Sequence, residues 1–309
     1  MGKISSSASV KSVGAWSRHW QLYLLLLLPM SYLLIFCYTP MAGLLIAFQD
    51  YSIRGGIFGS EWVGFKNFER FFSSVYFERT VTNTLVLSTL GIISGMPFAI
   101  LLALCLNEMR NGVPKRFVQM VTYAPYFIST VVIVALLNQW TELKTGMINH
   151  IIVALGGKAT DFMGKAKYFR FMYTASGVWQ MMGFNSIVYL AALNNVDPSL
   201  HEAAIVDGAS RFKQVRYIDL PAILPTMTIM LILNCGGILS VGFEKVYLMQ
   251  TPLNLKHSQI ISTYIYEMGM KKQDISFATA AGLFNSVVNF TLVLIVNKIA
   301  KKLGETSLW

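Results

Sequence analysis

Charge is what this sequence has least of. Only 13% of its 309 residues are Asp, Glu, Lys or Arg, about half the share of a soluble domain. With 54% of residues hydrophobic, that scarcity excludes an ordinary soluble domain and also a disordered chain, which would leave its surface in water. Cysteine is scarce too. Cys37, Cys105 and Cys235 lie far apart, which argues against a disulfide framework and for small apolar packing residues. The four histidines, His19, His150, His201 and His257, have no metal-ligand spacing. A His-Glu-x-x-His pair and paired intramembrane carboxylates are both missing, so a membrane-embedded hydrolase has no machinery here. There is also no Gly-x-x-x-x-Gly-Lys-Ser/Thr loop to cradle phosphates, so any ATP used on behalf of this chain is hydrolysed elsewhere.

What is present is a set of uncharged windows: His19–Gln49, Thr80–Asn107, Phe117–Thr141, Phe171–Val196, Leu220–Phe243 and Ile275–Asn297. Each is long enough for one crossing of a bilayer, which needs about 20 apolar residues. The fold class expected is therefore all-α, a polytopic transmembrane bundle of six spans. Lys3, Lys11 and Arg18 precede the Leu22–Leu28 run as in a signal peptide, but the apolar stretch continues to Phe48 without a small-x-small cleavage site, which reads as an uncleaved anchor. The first window is expected to leave the membrane near Pro40. The net charge of +10 suits a lipid surface better than nucleic acid.

Basic residues divide evenly between the two sets of connecting loops, so charge alone does not orient the chain. The Asp50–Arg79 loop interleaves aromatics with balanced charge, as an interfacial segment or a partner surface would. No inverted repeat is visible and no window contains Asp, Glu, Lys or Arg. Both absences weigh against an ion-coupled secondary transporter.

The informative stretch follows the fourth window. Asp197-Pro198 starts a helix, Ser199 with Glu202 fits a capping box, and Gly208 is placed to end the helix as a left-handed cap. Ala203 and Ala204 leave little side chain between a partner and the backbone. Pro221 is expected to limit how far the next helix reaches back into the loop.

Glu202, Ala203, Ala204, Gly208, Ile218, Leu220 and Pro221 together resemble the EAA loop of the membrane subunits of bacterial ATP-binding-cassette importers. The resemblance extends to Trp62–Phe72, Asn83-Thr84, Tyr123-Ala124-Pro125 and Trp179, which look like the sugar-importer branch. Phe243–Tyr247 and Ser307-Leu308-Trp309 look like permeases for complex oligosaccharides and polysaccharide fragments.

The resemblance implies a type I, maltose-type permease fold in the bacterial cytoplasmic membrane with both termini cytoplasmic. Residues 1–79 would form the cytoplasmic tail, first helix and external loop. Residues 80–309 would form a five-helix core carrying the coupling loop at 197–221. The expected partners are a second permease subunit in a heterodimer, an ATPase dimer and an extracytoplasmic solute-binding protein. This chain would hold no cofactor, since ATP and Mg would be used by the ATPase. Glu202, Ala203, Ala204, Asp207, Gly208 and Pro221 would couple it to that ATPase.

For the solute path the candidates are Tyr126 and Thr130, four apart in the third window, and Gln180 and Phe184, four apart in the fourth, with Asn185 adjacent. An aromatic plate with hydrogen-bonding groups suits a sugar; interhelical polar ties are the alternative. Asn83, Asn138, Asn234 and Asn285 are read as packing residues, and Glu244–Lys245, at the outer end of the fifth window, as a local ion pair, with a gate or a contact for the binding protein as the alternative. The coupling loop does not name the cargo, which leaves a sugar phosphate or an amino acid as alternatives to an oligosaccharide.

Overall fold

The computed structural model describes residues 20–239 and 241–302. The amino-terminal basic residues Lys3, Lys11 and Arg18 and the Ser307-Leu308-Trp309 ending lie outside the described residues. Among the described residues, each of the six uncharged windows is mostly helical, although the helix in the fifth ends at Gly236.

The first helix, α1 (Trp20–Phe48), is continuous, and it does not break at Pro40. Its stretch Leu33–Tyr38 is wound as a π-helix and Thr39–Phe48 as a 3-10 helix. A proline lacks its N–H and its ring presses on the carbonyl four residues back. For Pro40 that carbonyl belongs to Phe36, inside the widened π turn, which accommodates the ring. Thr39 Oγ1 also donates to the Leu34 carbonyl at 2.8 Å. No residue of Trp20–Tyr32 is buried, so this apolar face is left for lipid.

Beyond α1, β1 (Gln49–Asp50) pairs antiparallel with β2 (Glu61–Trp62), and α2 (Lys66–Phe72) follows. Asn67 Nδ2 donates to the carbonyls of Ala47 and Gln49, fastening α2 to the end of α1. Phe71 is fully buried among Phe77, Phe277 and Phe284. The Asp50–Arg79 loop is thus a small folded unit with an aromatic core, while Phe58 and Trp62 stay exposed.

The centre of the molecule is the pair α3 (Phe77–Glu108) and α7 (Ala166–Leu193). Between them in sequence come α4 (Val113–Tyr123), running on through a 3-10 turn to Phe127, then α5 (Thr130–Thr141) and α6 (Met147–Ala154). After α7 follow α8 (Pro198–Val206), α9 (Arg211–Gly236), α10 (Phe243–Met249), α11 (Ile261–Tyr266) and α12 (Ile275–Lys302).

By length and composition α1, α3, α9 and α12 suit a membrane crossing, and α4 with α5 makes a fifth if the two count as one span bent by 100°. The third window is therefore not one straight helix. Ser129 caps α5, its side chain accepting from the Val132 amide, and a capping residue has non-helical backbone by nature. Helix α7 fills the fourth window. Its 28 residues reach about 42 Å, but Gln180, Asn185 and its serines make it less apolar than the others.

Two apolar clusters hold α3 against α7 and leave space between them. One joins Leu87 of α3 to Ile133, Val134 and Leu137 of α5, Phe169 and Met172 of α7, and Val246 and Met249 of α10. The other joins Ala99, Ile100, Ala103 and Leu106 of α3 to Tyr189, Leu190 and Leu193 of α7 and Ile223 of α9. Asn83 is a packing residue as expected: its Nδ2 donates to the Lys256 and Gln259 carbonyls and its Oδ1 accepts from Arg170. Asn138 is exposed and Asn234 bonds its own helix at Met230.

One close approach depends on a glycine. A Cβ added at Gly183 would overlap the Thr122 carbonyl oxygen, because α7 and α4 cross there backbone to backbone. Gly183→Ala is expected to push the helices apart and cost about 1–3 kcal/mol. The check is thermal unfolding of the purified protein, and an unshifted midpoint would show that the crossing is looser than described.

Candidate functional site

Two places carry chemistry: the loop around α8 and the space between α3 and α7. Helix α8 is built by local rules. Pro198 sits at its first position, where a missing N–H costs nothing. That makes Asp197 the cap, its carboxylate accepting from the Ser199 amide at 2.9 Å. The capping box expected from Ser199 and Glu202 is therefore not the cap that forms, since Ser199 lies one residue inside the helix. The Ser199 amide and hydroxyl hold the Asp197 carboxyl below its usual range.

At the other end Gly208 is left-handed, with φ +73°. Its amide donates to the Ile205 carbonyl at 3.0 Å and the Ala209 amide donates to Ala204 at 2.8 Å. These are the two bonds of a Schellman motif, and they fix the angle at which the chain leaves α8.

Helix α8 buries nothing within this chain. Glu202, Ala203 and Asp207 are exposed, Ala204 is partly so, and Leu200, Ile205 and Val206 present apolar side chains with no cover. A cleft of about 790 Å³ separates α8 from the ends of α3 and α7 and the start of α9, and Glu202 and His201 line it. Arg211 bonds Glu108 at 2.8 Å across this region.

Pro221 does not hold back the next helix. Helix α9 runs continuously from Arg211 to Gly236, with Val215–Asp219 wound as a π-helix. Here again the carbonyl four residues before the proline, that of Tyr217, lies in the π turn. Asp219 is fully buried within that turn, and His201 Nε2 of α8 approaches its Oδ1 to 3.2 Å. Sequence reasoning left this pair unassigned, because its members sit on different helices with seventeen residues between them.

Between the apolar clusters, Gly91 and Gly95 of α3 leave open space where other residues would place a Cβ. Two adjoining cavities of about 260 and 440 Å³ share Gly91, Gly95, Tyr173 and Asn185 in their walls. Thr130, Gln180 and Asn185 line the larger one. Tyr126 and Phe184 do not; their rings stack on each other, centroids 3.8 Å apart and nearly parallel. Tyr126 and Thr130 do not share a helix face either, because the 100° bend falls between them. Gln180 is buried, and its Nε2 donates to the Ile128 carbonyl at 3.3 Å, bracing that bend.

Lys245 was not among the expected cavity residues. It is only 8% exposed, lines the larger cavity and makes no hydrogen bond or ion pair among the described residues. The expected ion pair with Glu244 does not form: neighbouring positions on a helix do not face one another, and Glu244 is exposed. Nζ lies 5.6 Å from the centre of the Tyr173 ring. Burial pulls the Lys245 ammonium from 10.5 down to about 8.

The model of the family described as "Binding-protein-dependent transport system inner membrane component" matches residues 95–305, which include α8 and the lining of the larger cavity except Gly91. The chain belongs to this family. Protein LplB of Bacillus subtilis (strain 168) is 42% identical over 306 residues, covering 99% of this chain and 96% of the relative. The polygalacturonan/rhamnogalacturonan transport system permease protein YteP of the same organism is 43% identical over 288 residues, 93% and 90% of the two chains. Among solved structures, a bacterial alginate ABC transporter, in complex with an alginate pentasaccharide-bound periplasmic protein, matches with a TM-score of 0.88. It is 38% identical, covering 95% of this chain and 98% of that one. The family assignment and the bundle of apolar helices make this a multi-pass membrane protein of a transport system.

Proposed function

We propose that this chain is the permease subunit of an ATP-driven importer that carries oligosaccharides or polysaccharide fragments inward by alternating access. Helix α8 is the coupling helix, docked on a separate ATPase. A second permease completes the path, a binding protein delivers solute from outside, and both termini face the cytoplasm. The chain itself holds no cofactor; ATP and Mg act at the ATPase. The observation that carries the reading is α8, a helix capped at both ends that buries none of its residues in its own chain and leaves Leu200, Ile205 and Val206 uncovered. Support for the cargo comes from the relatives whose names mention polygalacturonan and alginate. Movement of such a helix with its ATPase would change access by rigid-body rotation, without covalent chemistry in this subunit.

The test is co-purification of a tagged copy from its native membrane, with identification of the bound chains and ATPase assays against a panel of glycans. A second permease and an ATPase should accompany it, and a glycan should stimulate hydrolysis. Recovery of the chain alone, or stimulation by amino acids and not by sugars, would overturn the reading.

A further inference from the structure

A buried ammonium without a counter-charge is expensive to keep, so the position of Lys245 calls for a reason. The Tyr173 ring offers its face to Nζ, but such a contact is worth only about 0.5–2 kcal/mol. It also leaves the three N–H donors unused. In front of Nζ the wall is Gly177, where an added Cβ would come to 3.9 Å from the nitrogen. The absent side chain keeps the ammonium open to the cavity. Around the same space stand Thr130, Gln180 and Asn185, all neutral hydrogen-bonding groups. Glu244, the one acid among the described residues of the wall, is exposed and makes no pair with Lys245. At about 440 Å³ the space falls within the range of sites for small organic ligands.

We propose that Lys245 is the docking point for a carboxylate of the solute, and that this permease passes oligosaccharides of acidic sugars, one uronate at a time held against Nζ. The proposal rests on the carbohydrate-importer reading and narrows it. A carboxylate supplies the missing counter-charge, and the neutral groups opposite accept and donate to sugar hydroxyls. A charge-assisted bond of this kind is stronger than a neutral one, and it forms only while solute is in the cavity. A neutral glycan would leave the ammonium unpaired.

The experiment uses the complete transporter assembly with its binding protein, reconstituted in vesicles. Stimulation of ATP hydrolysis is measured with tetragalacturonate, with its carboxyl-reduced neutral counterpart and with glucose 6-phosphate. Wild type should favour the uronate. Lys245→Met should lower the ratio of uronate to neutral stimulation about tenfold, while Lys245→Arg restores most of it. Gly177→Val, which narrows the space before Nζ and leaves the charge in place, should lower the same ratio and guards against a Lys245→Met protein that fails to assemble. An unchanged ratio in both Lys245→Met and Gly177→Val, with both sugars still active, overturns the proposal and leaves the carbohydrate reading intact. Stimulation by the sugar phosphate alone, or by none of the three in wild type, overturns both.

Discussion

Gly208→Val is expected to cut solute uptake about tenfold while leaving the protein inserted and assembled. The backbone at Gly208 is left-handed, φ +73°, and a residue with a Cβ pays about 1–2 kcal/mol there, more when β-branched. Nothing stands near the position that a side chain would strike, so the cost is conformational and is relieved by turning the chain. Turning it breaks the Gly208–Ile205 and Ala209–Ala204 bonds and re-aims α8 relative to Arg211, where α9 begins. If α8 transmits the ATPase movement, hydrolysis should continue and lose its dependence on solute. Glu202→Lys should give the same uncoupling by a different route, since it reverses a charge exposed on the helix without disturbing its caps. Normal uptake with both substitutions would remove α8 from the coupling path.

That loop was legible because its determinants are local. A proline at the first helical position, a carboxylate before it and a glycine after it act within one or two turns, and they do so here. Even so, the cap is Asp197 and not Ser199, because Pro198 fixes the register. The prolines at 40 and 221 misled for the opposite reason. Each sits where a helix should stop, and each is absorbed by a π turn upstream, a backbone adjustment that no residue type announces. Apolar windows located every principal helix of the bundle, yet helical spacing failed for Tyr126 and Thr130 once Ser129 capped a new helix between them. The ring of Tyr126 then found Phe184, so the pair closes on itself and takes no part in the cavity wall, where Tyr173, Asn185 and Lys245 stand. Those residues come together from α7 and α10 only through long-range packing. The pattern of apolar windows could place Lys245 just outside a span but could not bury it.

The same limit hid the link between α8 and α9, whose disruption is expected to have the largest effect on stability. Asp219 is buried, with its side chain 1% exposed, and neither carboxylate oxygen has a hydrogen-bond partner; His201 at 3.2 Å is its partner at ion-pair distance. Removing His201, which is itself partly exposed, leaves the buried Asp219 carboxyl with no polar partner, and an unsatisfied buried polar group costs about 1–3 kcal/mol, more where it is charged. His201→Leu should therefore lower the unfolding midpoint of the purified assembly more than any substitution on the exposed face of α8. Asp219→Leu removes the buried carboxyl itself and should cost less. The double change His201→Leu with Asp219→Leu should recover most of the His201→Leu loss, since replacing both partners by apolar groups can be nearly neutral. The non-additivity of this cycle measures the coupling directly. Strictly additive losses would mean that His201 only rests near Asp219. A strong interaction would mean that α8 is fastened to the π turn of α9, so that a displacement of α8 reaches the spanning helix beside the cavity through this contact.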